Sequence, residues 1–228
     1  MLKEYYINKL YPLQDIVLNE IAKYDTDFYL TGGTALSRCY LHHRFSDDLD
    51  FFVNGKENFT ILYKKCTKGL IEANLEIIIE KESSDFVRIN CVSNNIKLKI
   101  DFVNDIPYRS DSTIKTPIYL RTDSWWNILS NKICALERRE AKDVTDILFI
   151  CRKYSFSWDD VFIEANKKTT YIDALDISVI IDQFPVEYFS KVNFCNELNL
   201  NDALVDLKAI SKDILEKKEN SIYKLFRN

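Results

Sequence analysis

Glycine occurs four times in these 228 residues, and two of the four stand together at Gly32-Gly33. In a chain so sparing of glycine, the pair marks a point where the backbone is forced, because only glycine enters the left-handed region without steric cost. The β-prone run Phe28-Tyr29-Leu30-Thr31 precedes it and the helix-compatible run 34–41 follows. This predicts a strand, a break and a helix with the glycines at its N-terminus. Gly32, Gly33 and Thr34 are then candidate phosphate contacts, since free backbone N–H groups at a helix start can cradle an anion.

The next run, Asp48-Leu49-Asp50-Phe51-Phe52-Val53, reads as a strand. A side-chain period of two sets Asp48 and Asp50 on one face and Leu49 and Phe51 on the other. Neighbouring carboxylates repel unless a cation separates them. Mg²⁺ (or Mn²⁺) takes hard oxygen ligands and shares them with substrate phosphates, so the pair beside a glycine turn points to metal-assisted nucleotidyl transfer from a nucleoside triphosphate. A lone Asp-x-Asp would carry little weight, and the order strand, glycines, helix, strand is what lends it force.

A third carboxylate follows from residues 96–103, where Leu98, Ile100 and Phe102 alternate with Lys97, Lys99 and Asp101. Asp101 can join Asp48 and Asp50 as metal ligand and can take the proton of an attacking hydroxyl. The competing reading is a surface carboxylate paired with Lys97 or Lys99. Arg44 and Ser46 sit just before the carboxylate strand, where an Arg fork can bind a phosphate or anchor Asp48 or Asp50. His43 is expected to orient that loop, and Arg38 either meets phosphate or faces water.

Gly32-Gly33-Thr34-Ala35-Leu36, followed by His43-Arg44-x-Ser46-x-Asp48-Leu49-Asp50-Phe51, resembles the first motif of the AbiEii-type nucleotidyltransferase toxins of the polymerase-β-like superfamily. Lys99-x-Asp101 is similar to the middle strand motif of that family. Asn131-Lys132-x-x-Ala135-Leu136-x-x-Arg139-x-x-Lys142-Asp143-x-x-Asp146 is similar to its later helical motif. The resemblance implies an enzyme of a toxin-antitoxin or phage-defence (abortive infection) pair, with a cognate antitoxin as partner and RNA, namely tRNA, as acceptor. It also implies a catalytic role for Lys132 and a nucleotide contact for Lys142. On residue physics alone, Lys132, Arg139 and Asp143 share one helical face only if 125–153 is continuous, and the plain alternative is an exposed Arg139–Asp143 pair of a few tenths of a kcal/mol. A protein or small-molecule acceptor, such as an aminoglycoside, fits the sequence equally well. A catalytically silent partner-binding module is a further alternative, against which the retention of three mutually repelling carboxylates argues.

Composition bounds the rest. A chain that is 46% hydrophobic and 29% charged is ordinary for a globular protein. No apolar run nears the roughly 20 residues of a membrane span, and the N-terminus lacks a secretory pattern, so a cytoplasmic protein is expected. Cysteines at 39, 66, 91, 134, 151 and 195 form no Cys-x-x-Cys pair and read as free, mostly buried thiols. A net charge of −4 excludes nucleic-acid coating by overall field. RNA contact would then be local, with Arg138, Arg139 and Lys142, Lys167 and Lys168, or the lysines of the tail as candidates.

Periodicity predicts helices over 13–24 and 58–74 and an antiparallel meander over 75–80, 85–92 and 96–103. From residue 124 onward the pattern is helical, over 125–136, 142–153, 158–165, 174–184 and 202–226. The expected architecture is α+β: a mixed-sheet polymerase-β-like nucleotidyltransferase domain, 1–122, followed by a C-terminal helical bundle, 123–228, closing one side of the nucleotide cleft.

Overall fold

Alternating apolar and polar residues over 49–54 and 96–105 make two strands whose apolar sides must be covered, and the surrounding elements do this. The computed structural model describes residues 2–224. Its strands are β1 (Tyr29–Thr31), β2 (Leu49–Asn54), β3 (Glu76–Glu82), β4 (Phe86–Ser93) and β5 (Ile96–Asp105), in the sheet order β1-β2-β5-β4-β3. β2 and β5 run parallel, and β1–β2, β4–β5 and β3–β4 are antiparallel. The meander is as expected. Its second turn, Asn94-Asn95, has φ of 50° and 61° and closes a two-residue hairpin between the partners Ser93 and Ile96, the geometry that asparagine tolerates best after glycine.

Helix α1 (Leu2–Tyr5) passes through a π-helical stretch, Tyr6–Leu10, into α2 (Tyr11–Ala22). The glycines open α3 (Gly32–Ala35), which continues as a π-helical stretch, Leu36–Leu41, and α4 is Phe59–Glu72. Leu49, Phe51, Leu98, Ile100, Phe102, Val87 and Ile89 are fully buried. Tyr63 of α4 lies 6.5 Å from Phe102 between ring centroids, and Phe28 lies 5.0 Å from Phe102 and 6.1 Å from Phe59. One side of the sheet is therefore an aromatic core, and the other is left polar. Residues 121–123 run beside β1: Leu30 N–H donates to the Arg121 carbonyl and Asp123 N–H to the Leu30 carbonyl.

By its contacts the chain divides into two units, Met1–Tyr40 with Phe45–Ser124, and Leu41–Arg44 with Trp125–Asn228. The second unit is helical: α5 (Trp125–Ala135), α6 (Ala141–Lys153), α7 (Trp158–Asn166), α8 (Ala174–Asp182) and α9 (Leu200–Leu215). Trp158, Ile133, Val144, Ile147, Leu148, Ile181 and Ile210 are fully buried in it. The amide of Asn220 donates to the carbonyls of Cys151 and Tyr154, both at 2.7 Å, satisfying acceptors that a helix end leaves open.

The separation expected between the helices over 125–136 and 142–153 is present: a 3₁₀ turn, Leu136–Arg138, intervenes, and Arg139 is left-handed at φ 53°. One expectation is corrected. The last helix stops at Leu215 rather than reaching 226, because Lys217 also takes a left-handed φ of 50°; residues 225 and 226 lie outside the described residues. Cys66, Cys91 and Cys151 are buried and Cys39, Cys134 and Cys195 half-buried, all of them free thiols. Among the described residues no helix is long and apolar enough to cross a membrane.

Phe102 is the ring that the sheet, α4 and Phe28 share, so Phe102→Ala should cost about 3–5 kcal/mol. Urea unfolding of the variant, followed by circular dichroism, measures this as a lower midpoint.

Candidate active site

In the first unit, the parallel pairing of β2 with β5 makes Asp50 and Asp101 direct register partners, and the β1–β2 pairing sets Thr31 beside Asp50 on the other side. Asp48 is two residues upstream of Asp50, and Lys99 two upstream of Asp101, so the period of two brings all four to the polar side of the sheet. Arg88, the β4 partner of Asp101, completes the group. The structure thus gathers Asp48, Asp50 and Asp101 on one face.

Opposite charges hold them there. Lys99 Nζ lies 2.5 Å from Asp48 Oδ2. The Arg88 fork donates to both oxygens of Asp101 at 2.8 Å. Asp101 therefore pairs with Arg88, not with the lysines of its own strand. Burial opposes the charge on Lys99, but the Asp48 carboxylate outweighs it and lifts the ammonium above its ordinary value. Among the described residues, no three of His, Cys, Asp and Glu are gathered tightly enough to hold a metal ion by themselves. The donor set nevertheless suits Mg²⁺, which takes one or two carboxylates and completes its shell with water and substrate phosphate oxygens.

Gly32 sits against this group at φ +67°, and a Cβ built on it would fall 2.3 Å from Asp50 Oδ2. Two reasons thus exclude any other residue: the left-handed backbone and the space taken by the Asp50 carboxylate. Gly33 is half-buried beside it. The Thr34 hydroxyl is fully buried and donates to the Asp48 carbonyl, so this side chain positions the carboxylate strand.

The loop before β2 is braced by residues that no sequence pattern singles out. Tyr6 Oη donates to Asp47 Oδ1 at 2.5 Å, Gln14 Nε2 to the Ser46 carbonyl at 3.0 Å, and Ser46 N–H to Tyr11 Oη at 3.3 Å. Ser46 itself is buried. Arg38 donates to Asp15 at 2.6 Å and stacks 4.5 Å over the Tyr11 ring, so it anchors α3 to α2. The Thr31 hydroxyl donates to Asp123 Oδ2 at 2.6 Å. These are lone polar residues in apolar surroundings, and only tertiary contact reveals them. Arg88 was legible in principle, as an outward position of a strand next to Asp101.

The later motif gathers separately in the second unit. Asp146, fully buried at the centre of α6, accepts Arg44 Nε at 2.7 Å and Nη2 at 2.8 Å, Lys132 Nζ at 2.7 Å and His43 Nε2 at 2.7 Å. Lys132 also reaches Asp143 at 2.7 Å, and Arg138, rather than Arg139, takes the other Asp143 oxygen at 2.8 Å. Burial works against the Asp146 charge, yet Arg44 and Lys132 hold the carboxyl well below its usual range. Lys132 is likewise penalised by burial and raised by Asp146 and Asp143. His43 is lowered from 6.5 because burial outweighs Asp146, and its Nδ1 is buried with no hydrogen-bond partner among the described residues. Lys142 is exposed on the first turn of α6. Lys168, a candidate RNA contact, instead donates to Asn127, Ser130 and Asn131 of α5 at 2.5–2.7 Å.

A family model described as nucleotidyl transferase AbiEii toxin, type IV TA system, matches residues 16–219. The chain belongs to the AbiEii family. It is accordingly a nucleotidyltransferase, and the type IV toxin-antitoxin assignment of the family implies a nucleotide substrate and an antitoxin partner. Among solved structures, the chain is similar to JHP933 from Helicobacter pylori, at 19% identity and a TM-score of 0.61 over 96% of this chain and 93% of that one. A candidate nucleotidyltransferase from H. pylori is similar at 21% identity and 0.63, over 94% and 96%. At such identities the likeness is one of fold. Comparison with curated proteins gives no match.

Two outcomes follow from the Asp146 network. Asp146→Ala removes the buried carboxylate that Arg44, Lys132 and His43 share, and should lower stability by about 3–5 kcal/mol in denaturant titration. Because the folded pKa of His43 is depressed, the unfolded chain binds more protons below pH 6.5, so this contribution is intact above 6.5 and shrinks as pH falls. Its slope is at most about 1.4 kcal/mol per pH unit, and His43→Gln should flatten the stability profile between pH 7 and 5. The Asp146 contribution is lost only below the ordinary 3.8, which keeps the two apart.

Proposed function

We propose that this AbiEii-family protein moves a nucleoside monophosphate from an NTP to a hydroxyl of RNA, the 3′ end of tRNA being the acceptor, with Mg²⁺ held by Asp48, Asp50 and Asp101. The observation that carries this reading is the register pairing of Asp50 with Asp101 on a polar sheet face beside Gly32. Bound there, Mg²⁺ would neutralise the triphosphate and polarise the α-phosphate.

The residues of the chain do the rest. The backbone at Gly32 and Gly33 receives the phosphates, as helix starts do. Thr34, through the Asp48 carbonyl, and Lys99, through its carboxylate, fix the strand that presents Asp48 and Asp50. Asp101, aimed by the Arg88 fork, takes the proton of the attacking hydroxyl as the new bond to the α-phosphorus forms and pyrophosphate leaves. Positioning and charge neutralisation supply most of the acceleration in such transfers. The polar side of the sheet also carries Lys97 and Arg88, which suits a local RNA contact in a chain of net charge −4. Arg44 and Lys132, committed to Asp146, act as positioning residues, and Lys142 is an exposed basic residue of the later motif.

Purified protein incubated with each α-³²P-labelled NTP, Mg²⁺ and total bacterial RNA should label RNA, and Asp48→Asn should abolish the label while shifting stability by no more than about 1 kcal/mol. Asp101→Asn should lower kcat by roughly 10²–10⁴. Label in protein instead of RNA would move the acceptor to a side-chain hydroxyl, and an Asp48→Asn protein as active as wild type would overturn the carboxylate assignment.

A further inference from the structure

A second cationic feature lies in the first unit, at the opposite end of β2 from the carboxylates. Asn54 ends that strand four residues beyond Asp50, about 13 Å away at roughly 3.3 Å per residue. There an open groove of about 370 Å³ is lined by Asp27, Tyr29, Asn54, Lys56, Pro107, Arg109, Thr113 and Arg121. Three cations thus face one carboxylate, in a protein whose net charge is −4.

Each cation is brought in by its own brace. The Asn104 side chain holds the Lys56 backbone, accepting its N–H at 2.8 Å and donating to its carbonyl at 3.1 Å. The Asn54 amide donates to the Ile106 and Tyr108 carbonyls at 2.8 and 3.3 Å and so fixes the loop that carries Arg109. Gly55, at φ +59°, lets the turn close on Pro107, where a Cβ would lie 2.8 Å from the ring. Arg121 donates to the Thr26 and Phe28 carbonyls, neutral acceptors that hold the guanidinium without cancelling its charge. Among the described residues Arg109 makes no ion pair, and its guanidinium lies 4.8 Å over the Tyr29 ring. Lys56 is balanced by Asp27 at 2.5 Å, a pair whose side chains are 40% and 60% exposed and therefore open to competition.

We infer that this groove is a binding site for a phosphate group, separate from the nucleotidyl-transfer site. Arg109 and Arg121 supply forks matched to phosphate oxygens, Lys56 adds a point charge, and the Thr113 hydroxyl offers a further donor. A phosphate dianion would offset the net surplus of two positive charges lining the groove. Asp27 is the opposing element, holding Lys56 until an anion displaces it.

The test uses the full chain in metal-free buffer with a chelator, so that metal-dependent binding at the carboxylates does not contribute. Binding of inorganic phosphate, pyrophosphate, AMP and a short oligoribonucleotide is measured by calorimetry at two salt concentrations. Arg109→Ala should weaken binding on the order of tenfold, the loss of one charge-assisted partner. Asp27→Asn should strengthen it, an opposite sign that misfolding does not produce. Binding of phosphate or pyrophosphate alone would make the ligand a free anion, and binding confined to AMP or the oligoribonucleotide would make it a phosphoester; both support the site. Equal affinity in wild type and Arg109→Ala, or no gain with Asp27→Asn, overturns it.

Discussion

Three carboxylates crowded on one side of a sheet set the terms for the first unit. Their mutual repulsion is contained by Lys99 on Asp48 and by the Arg88 fork on Asp101, with those cations delivered by strand register. An aromatic core on the reverse side keeps the strands in that register, since a slip of one residue would turn Phe51 and Phe102 outward and the carboxylates inward. Packing on one side and charge balance on the other are therefore the same constraint. The pairing Asp50–Asp101 exists only because β2 and β5 run parallel with their two faces so different in polarity.

The meander, the strand of the Asp-x-Asp run and most helices were legible because they rest on local periodicity and on turn residues such as Asn94 and Asn95. The misjudged end of the last helix has a local cause. Lys217 takes a left-handed conformation in a chain without glycine after residue 69, so the position announced no break. For the candidate site, the placing of Asp48, Asp50 and Asp101 on one face could be read from alternation, and the Gly32-Gly33 turn from the rarity of glycine. Tyr6, Gln14 and Asp123 could not, because a single hydrogen bond across 41, 32 or 92 residues leaves no local pattern.

The later motif shows how spacing can suggest the right residues for the wrong geometric reason. Lys132 and Asp143 do meet, yet not along one helical face: the chain breaks between them, and α6 swings Asp143 back to Lys132. Asp146 then draws in His43 and Arg44 from over a hundred residues upstream. A buried carboxylate with this many partners is costly to assemble and more costly to leave half-made, which makes Asp146 the centre on which the start of α6 and the segment Leu41–Arg44 are organised.

The 2.3 Å between Asp50 Oδ2 and the place where a Cβ on Gly32 would stand has an evolutionary reading. Positions 32 and 50 cannot drift independently. A side chain can enter at 32 only after the carboxylate at 50 has been shortened, and the left-handed backbone makes even that route uphill. Lineages carrying this sheet thus face a one-way order of events: once the aspartate is given up, the glycine is released from its steric duty, and a later return to aspartate is blocked wherever the glycine has already been replaced.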